Sequence, residues 1–156
     1  IILTCTKVVI SSKIFSLSAC FKRCEACVAM RPLRDFIGIP WKVGGRSFDG
    51  VDCAGLCILA GKHMFGINLP DVWKYNDENY LEVTKCGYED FAKISFAVNK
   101  EEVQDGDIVI FKLRNGHVHF GLFINGMMLH IADNKKSQLS RLPMHVEFRR
   151  YKGGDI

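Results

Sequence analysis

What this sequence lacks narrows the reading first. No apolar run among its 156 residues reaches the roughly 20 needed to cross a bilayer as a helix. No repeat and no low-complexity tract is present, which sets aside solenoids and linker-like chains. There is no basic stripe interleaved with aromatics, so a nucleic-acid role has little support. The net charge of +4 does not alter this. Four of the 21 basic side chains but only one of the 17 acidic ones fall within the first 29 residues, leaving 17 basic and 16 acidic beyond them. A disulfide framework is missing too. The seven cysteines, Cys5, Cys20, Cys24, Cys27, Cys53, Cys57 and Cys86, are odd in number and irregular in spacing, which reads as free thiols with one of them reactive.

The length suffices for one domain with a real core, and 48% hydrophobic with 24% charged residues is ordinary for a globular protein. Residues 1–29 differ from the rest. They show no amphipathic period and hold four of the seven cysteines. They are expected to be an N-terminal extension outside the native fold, with the folded domain at 30–156 beginning near Met30. Leu17-Ser18-Ala19-Cys20 has the form of a lipoprotein cleavage box, but Lys7 and Lys13 break the apolar stretch that should precede it, so it makes no convincing signal peptide. Cys20, Cys24 and Cys27 have no suitably spaced fourth ligand for zinc; no metal or cofactor is expected.

From Arg31 onward the pattern is readable. A short helical piece covers Pro32–Ile37, and a turn-rich loop follows through Pro40, Gly44, Gly45 and Gly50. Cys53–Phe65 reads as a helix, with Leu56, Cys57, Ala60 and Met64 on one face, Asp52 as N-cap and Gly66 as stop. Residues 71–100 read as loops with one or two short helices. Strands are expected at Ile108–Leu113, Val118–Ile124 and Met127–Ala132, with a turn at Asn115-Gly116 and a tight hairpin at Asn125-Gly126. Met144–Tyr151 is expected as a last strand at an edge. Helix first and antiparallel sheet after means α+β.

Cys53 opens its helix, where unpaired N–H groups and the dipole favour a thiolate and can bind an oxyanion. Asp52 opposes this by raising the thiol pKa. The bland alternative is a small buried hydrophobe. On the hairpin, Ile124 paired with Met127 sets Leu122 against Leu129 and Gly121 against His130. His119 and His130 then share a face on a diagonal within side-chain reach. One ring can fix the other's tautomer, which completes a nucleophile, base and orienting group. Their sharing a face by coincidence is the alternative. His117, His63 and His145 read as surface or edge residues.

Several segments resemble the NlpC/P60 cysteine peptidases, in the correct order over roughly residues 31–135. They are Gly38-Ile39-Pro40-Trp41, Gly44-Gly45, Asp52-Cys53-Ala54-Gly55-Leu56, Gly66-Ile67 with Leu69-Pro70, Gly106-Asp107-Ile108-Val109-Ile110-Phe111, and His119-Phe120-Gly121-Leu122. The resemblance implies a papain-like fold, with the nucleophile helix packed on an antiparallel sheet. It implies hydrolysis of peptidoglycan stem peptides, usually between D-glutamate and a diamino acid, without a cofactor. Cys53 matches the nucleophile, His119 the base and His130 the orienting group. Asp52 matches a position that helps bind the substrate's amino end. Trp41 stands at a substrate-binding position where the family usually has tyrosine, whose hydroxyl can hydrogen-bond near the oxyanion, while tryptophan offers only an N–H at another place; Ala54 replaces the commoner serine. The Trp variant, the compact domain and the tail Arg141-Leu142 then Phe148-Arg149-Arg150 look most like phage-tail-associated members. Tail-tip proteins would then be partners, and the virion tail or bacterial envelope the location. The alternatives are an amidase or acyltransferase on the same scaffold, or an inactive tail structural protein.

Overall fold

The computed structural model describes residues 30–73, 80–114 and 116–153; for 80–86 it describes the backbone only. The expectations for Cys5, Cys20, Cys24, Cys27, the Cys86 side chain and Asn115 therefore lie outside the described residues. Among the described residues no helix is long and apolar enough to cross a membrane.

A single 3-10 turn, Leu33–Phe36, leads into the glycine loop and a small ribbon of β1 (Arg46–Ser47) and β2 (Gly50–Val51). α1 then spans Cys53–Phe65, with the bounds and caps expected. The Asp52 carboxylate accepts from the Gly55 N–H at 2.7 Å, and Gly66 closes the helix at φ 67°, a conformation costly for any residue with a Cβ. Burial runs further round α1 than a single stripe, because Ala54, Leu56, Leu59 and Ala60 are all covered. The helix is wedged between the sheet on one side and the β1–β2 ribbon with the 3-10 turn on the other.

α2 (Tyr80–Ile94) is one helix of 15 residues, where loops and short pieces were expected. It runs directly into β3 (Ser95–Val98), a strand absent from the sequence reading. The remaining strands are β4 (Ile108–Lys112), β5 (Val118–Ile124), β6 (Met127–His130), β7 (Gln138–Arg141) and β8 (Glu147–Tyr151). They form one antiparallel sheet in the order β3-β8-β4-β5-β6-β7. This corrects two expectations. β8 is not an edge strand but lies between β3 and β4, and the edges are β3 and the unforeseen β7. Both edge strands are only four residues long, which leaves little alternation to read.

The β5–β6 hairpin has the expected register, Leu122 opposite Leu129, Phe123 opposite Met128 and Ile124 opposite Met127. Its loop residues Asn125 (φ 46°) and Gly126 (φ 78°) both take positive φ, as a type I′ turn requires. Alternation along β5 sorts its side chains. Val118, Phe120, Leu122 and Ile124 enter the main core with Leu56, Cys57 and Ala60 of α1. His119, Gly121 and Phe123 fall on the other face, where Phe123 joins Val109, Met128 and Phe148 in a second cluster.

Candidate active site

The nucleophile candidate is held by its neighbours in sequence. Gly55 lies against the carbonyl of Gly45, and Gly45 against that of Gly50, so closely that a Cβ at either position would collide with backbone. This is the physical content of the Gly-Gly and Cys-Ala-Gly segments: the glycine loop must touch the first turn of α1. Asp52 is fully buried. Both its oxygens meet Nη1 of Arg46, at 2.9 and 3.1 Å. Arg46 also reaches the Gly45 carbonyl through Nη1, the Asp71 carboxylate through Nε and Nη2, and the Trp73 carbonyl through Nη2. Sequence reasoning missed Arg46. A single arginine in a polar loop carries no signal that it will saturate one guanidinium fork on four partners. The resemblance assigns Asp52 to the substrate's amino end. In this structure Asp52 has no exposed surface, caps α1 and pairs with Arg46.

Cys53 is 7% exposed. Burial, and after it the Asp52 carboxylate, push its thiol up to about 12; hydrogen bonds from the backbone N–H groups of Phe120 and Ala54 pull the other way. The Phe120 N–H contact locates the sulfur. It meets β5 at the peptide joining His119 to Phe120, beyond the last registered pair of the hairpin, Leu122 with Leu129. There β6 no longer pairs with β5, and the sulfur of α1 meets the unpaired stretch.

His119 is as buried as Cys53. Its ring sits 4.9 Å from that of Phe111, and its Nε2 lies 3.2 Å from Nδ1 of His130. Burial, then the neighbouring His130, lower its pKa to about 4, and burial lowers that of His130 as well. At neutral pH Cys53 is therefore a thiol and both rings are neutral imidazoles. His130 in turn meets Gln138 of β7 at 3.4 Å, a residue the sequence reading passed over.

Trp41 is half-buried. Its N–H donates to the Lys135 carbonyl at 3.1 Å, and it bridges to Val51, two residues before Cys53. His63 lies tilted against Phe48 with ring centroids 6.0 Å apart, His117 lies at the β4–β5 turn, and His145 is exposed before β8. Among the described residues no cluster of histidine, cysteine and carboxylate side chains could hold a metal ion.

A helix opening on a cysteine, set against an antiparallel sheet that presents a histidine pair, defines the α+β papain-like class of fold. The sequence profile of the NlpC/P60 family matches residues 38–151, and the chain belongs to that family. It is 27% identical over 113 residues to the probable endopeptidase NlpC of Escherichia coli (strain K12), an alignment covering 70% of this chain and 64% of the relative. The murein DD-endopeptidase MepS/murein LD-carboxypeptidase of the same strain is 23% identical over 118 residues, covering 75% of this chain and 55% of the relative. The chain therefore spans somewhat over half the length of the curated relatives it matches. A crystal structure of an NlpC/P60 family protein from Bacillus cereus ATCC 10987 superposes with a TM-score of 0.52 at 25% identity, covering 74% of this chain and 36% of that one.

Proposed function

We propose that this chain is a cysteine peptidase that hydrolyses peptide bonds in peptidoglycan stem peptides, with Cys53 as nucleophile, His119 as base and His130 as the group that orients His119. The observation that carries the reading is the meeting of two elements distant in sequence. The Phe120 N–H, in the peptide that also carries His119, lies near enough to the Cys53 thiol to lower its pKa, and Nε2 of His119 is 3.2 Å from Nδ1 of His130. Nε2 being engaged leaves Nδ1 of His119 for the thiol. That nitrogen removes the Cys53 proton as the sulfur attacks the substrate carbonyl, then returns it to the leaving amine. Water, deprotonated by the same nitrogen, releases the acyl-enzyme. N–H groups at the start of α1 are suited to the oxyanion, and Trp41 to lining the substrate groove beside Val51.

The names of the relatives support the substrate class: one is a probable endopeptidase, another a murein endopeptidase and carboxypeptidase. Within it, we take the D-glutamyl–diamino acid bond as the target, residues 30–156 as the catalytic unit with 1–29 as an extension, and a phage-tail role, all on the sequence resemblance. Incubation of the full chain with purified muropeptides, read by mass spectrometry, tests the activity. Hydrolysis at one stem-peptide bond is expected, with Cys53→Ala silent and its circular dichroism unchanged. Undiminished hydrolysis by Cys53→Ala would remove the nucleophile from the proposal.

A further inference from the structure

We infer that Gln138 is a positioning residue for the reaction proposed above: on the strand beside His130, its side-chain amide accepts the proton of His130 Nε2 and so fixes the tautomer in which His130 can hold His119. The inference rests on that reading of Cys53 and His119, and it extends the arrangement by one group that the motifs do not contain.

When His119 takes the thiol proton at Nδ1, both its nitrogens carry hydrogen, and Nε2–H must be accepted by something. Nδ1 of His130 is the atom there, at 3.2 Å. It accepts only if it is bare, and in a neutral imidazole that puts the proton of His130 on Nε2. A half-buried N–H needs an acceptor of its own. The side chain at that nitrogen is the exposed Gln138 amide, whose Nε2 lies 3.4 Å from it. An amide can present its nitrogen or its oxygen to the same spot, and which of them faces the ring is decided by the hydrogen-bond network. Only the oxygen suits a His130 that accepts from His119. With the amide nitrogen there instead, His130 would be bare at Nε2 and protonated at Nδ1, so two N–H groups would point at each other between the rings.

The placement of Gln138 is itself specified. His130 and Gln138 are direct cross-strand partners between β6 and β7. The residue before it, Ser137, is buried and pins the start of β7 to the segment leading into the glycine loop. Its hydroxyl donates to the Phe36 carbonyl at 2.7 Å and accepts from the Ile39 N–H at 2.8 Å. Its backbone pairs with Ile39 and Gly38 as well, at 2.9 Å in each case. An edge strand of four residues thus gains a fixed origin, one residue from the amide that faces His130.

Swapping donor for acceptor tests this, because a purely structural contact would not distinguish them. At pH 8, where His130 is neutral, Gln138→Leu should lower kcat on muropeptides about tenfold with KM little changed, by analogy with the outer partners that orient metal-bound histidines. Gln138→Glu, which can only accept, should stay within about threefold of the parent, and Gln138→Lys, which can only donate, should fall with the Leu variant. Nitrogen-15 shifts of the full chain should show His130 protonated at Nε2, with that preference lost in Gln138→Lys. Equal rates for Glu and Lys, a Leu variant as fast as the parent, or His130 protonated at Nδ1 would each overturn the inference. A flat series in a protein that Cys53→Ala silences removes Gln138 and leaves the nucleophile standing. If Cys53→Ala is fully active, the mechanism fails instead, and the tautomer spectrum still decides whether Gln138 sets His130.

Discussion

At the start of α1, most of the groups that hold Cys53 lie close to it in the chain: Gly45, Arg46, Gly50, Asp52 and Gly55, with Asp71 and Trp73 reached by one arginine fork. Across the site, the groups that hold His119 come from three strands: Phe111 of β4, His130 of β6 and, behind it, Gln138 of β7. The helix half is made by close backbone contact and a buried charge pair. The ribbon half is made by register. The first should therefore fail through stability, because its parts cannot be removed without leaving an uncompensated charge or a collision. The second should fail through turnover, because its members can be exchanged while the sheet persists.

The sharpest way to break that contrast is Arg46→Met. It leaves the fully buried Asp52 carboxylate without its counter-charge, a loss of about 3–5 kcal/mol when one member of a buried pair is removed. Urea unfolding should show it as a lower midpoint with an unchanged slope. Adding Asp52→Asn should recover most of the loss, because asparagine caps a helix and carries no charge to bury. If the single variant were as stable as the parent, the helix half would not depend on this pair.

On the ribbon half, pH separates the two modes of failure. The pKa of His119 drops from an ordinary 6.5 to about 4 on folding, so between those values the unfolded chain binds a proton that the native one does not. Stability is then whole above pH 6.5 and is lost as pH falls through about 4, a difference of about 3 kcal/mol at most from this one ring. His119→Gln should flatten that slope in urea titrations at pH 7 and 4.5 while abolishing hydrolysis at both. Among the described residues, His130 and His63, whose pKa values are also lowered by burial, add slope of the same sign. A parent and a variant with the same slope would mean that His119 is not buried as a neutral ring.

The same contrast explains what could be read before the structure. α1 was legible to the residue because its N-cap, apolar face and αL glycine are all local signals. The β5–β6 register followed from Asn125-Gly126 alone, and with it the histidine pair. β7 and β3 were not legible. Gln138–Arg141 and Ser95–Val98 are four-residue strands whose pairing is decided by neighbours elsewhere in the chain, among them Arg149, which bonds Ser95 and Ala92. Arg46 and Gln138 escaped for one shared reason. Each acts only through the partner that the tertiary fold brings to it.

The smallest expected effect tests whether register is as robust as the ribbon half requires. Gly126 has φ 78° with open space where a Cβ would stand, so Gly126→Ala meets no side chain and costs only the left-handed backbone, about 1 kcal/mol. A one-residue slip would turn every side chain of β6 to the opposite face and part His130 from His119. Leu122 and Leu129, both wholly buried in the main core, resist that slip by far more than the turn contributes. Gly126→Ala should therefore lower the melting temperature by a few degrees and leave kcat unchanged. A matching fall in kcat would show that the hairpin loop, rather than the two leucines, holds the histidines in register.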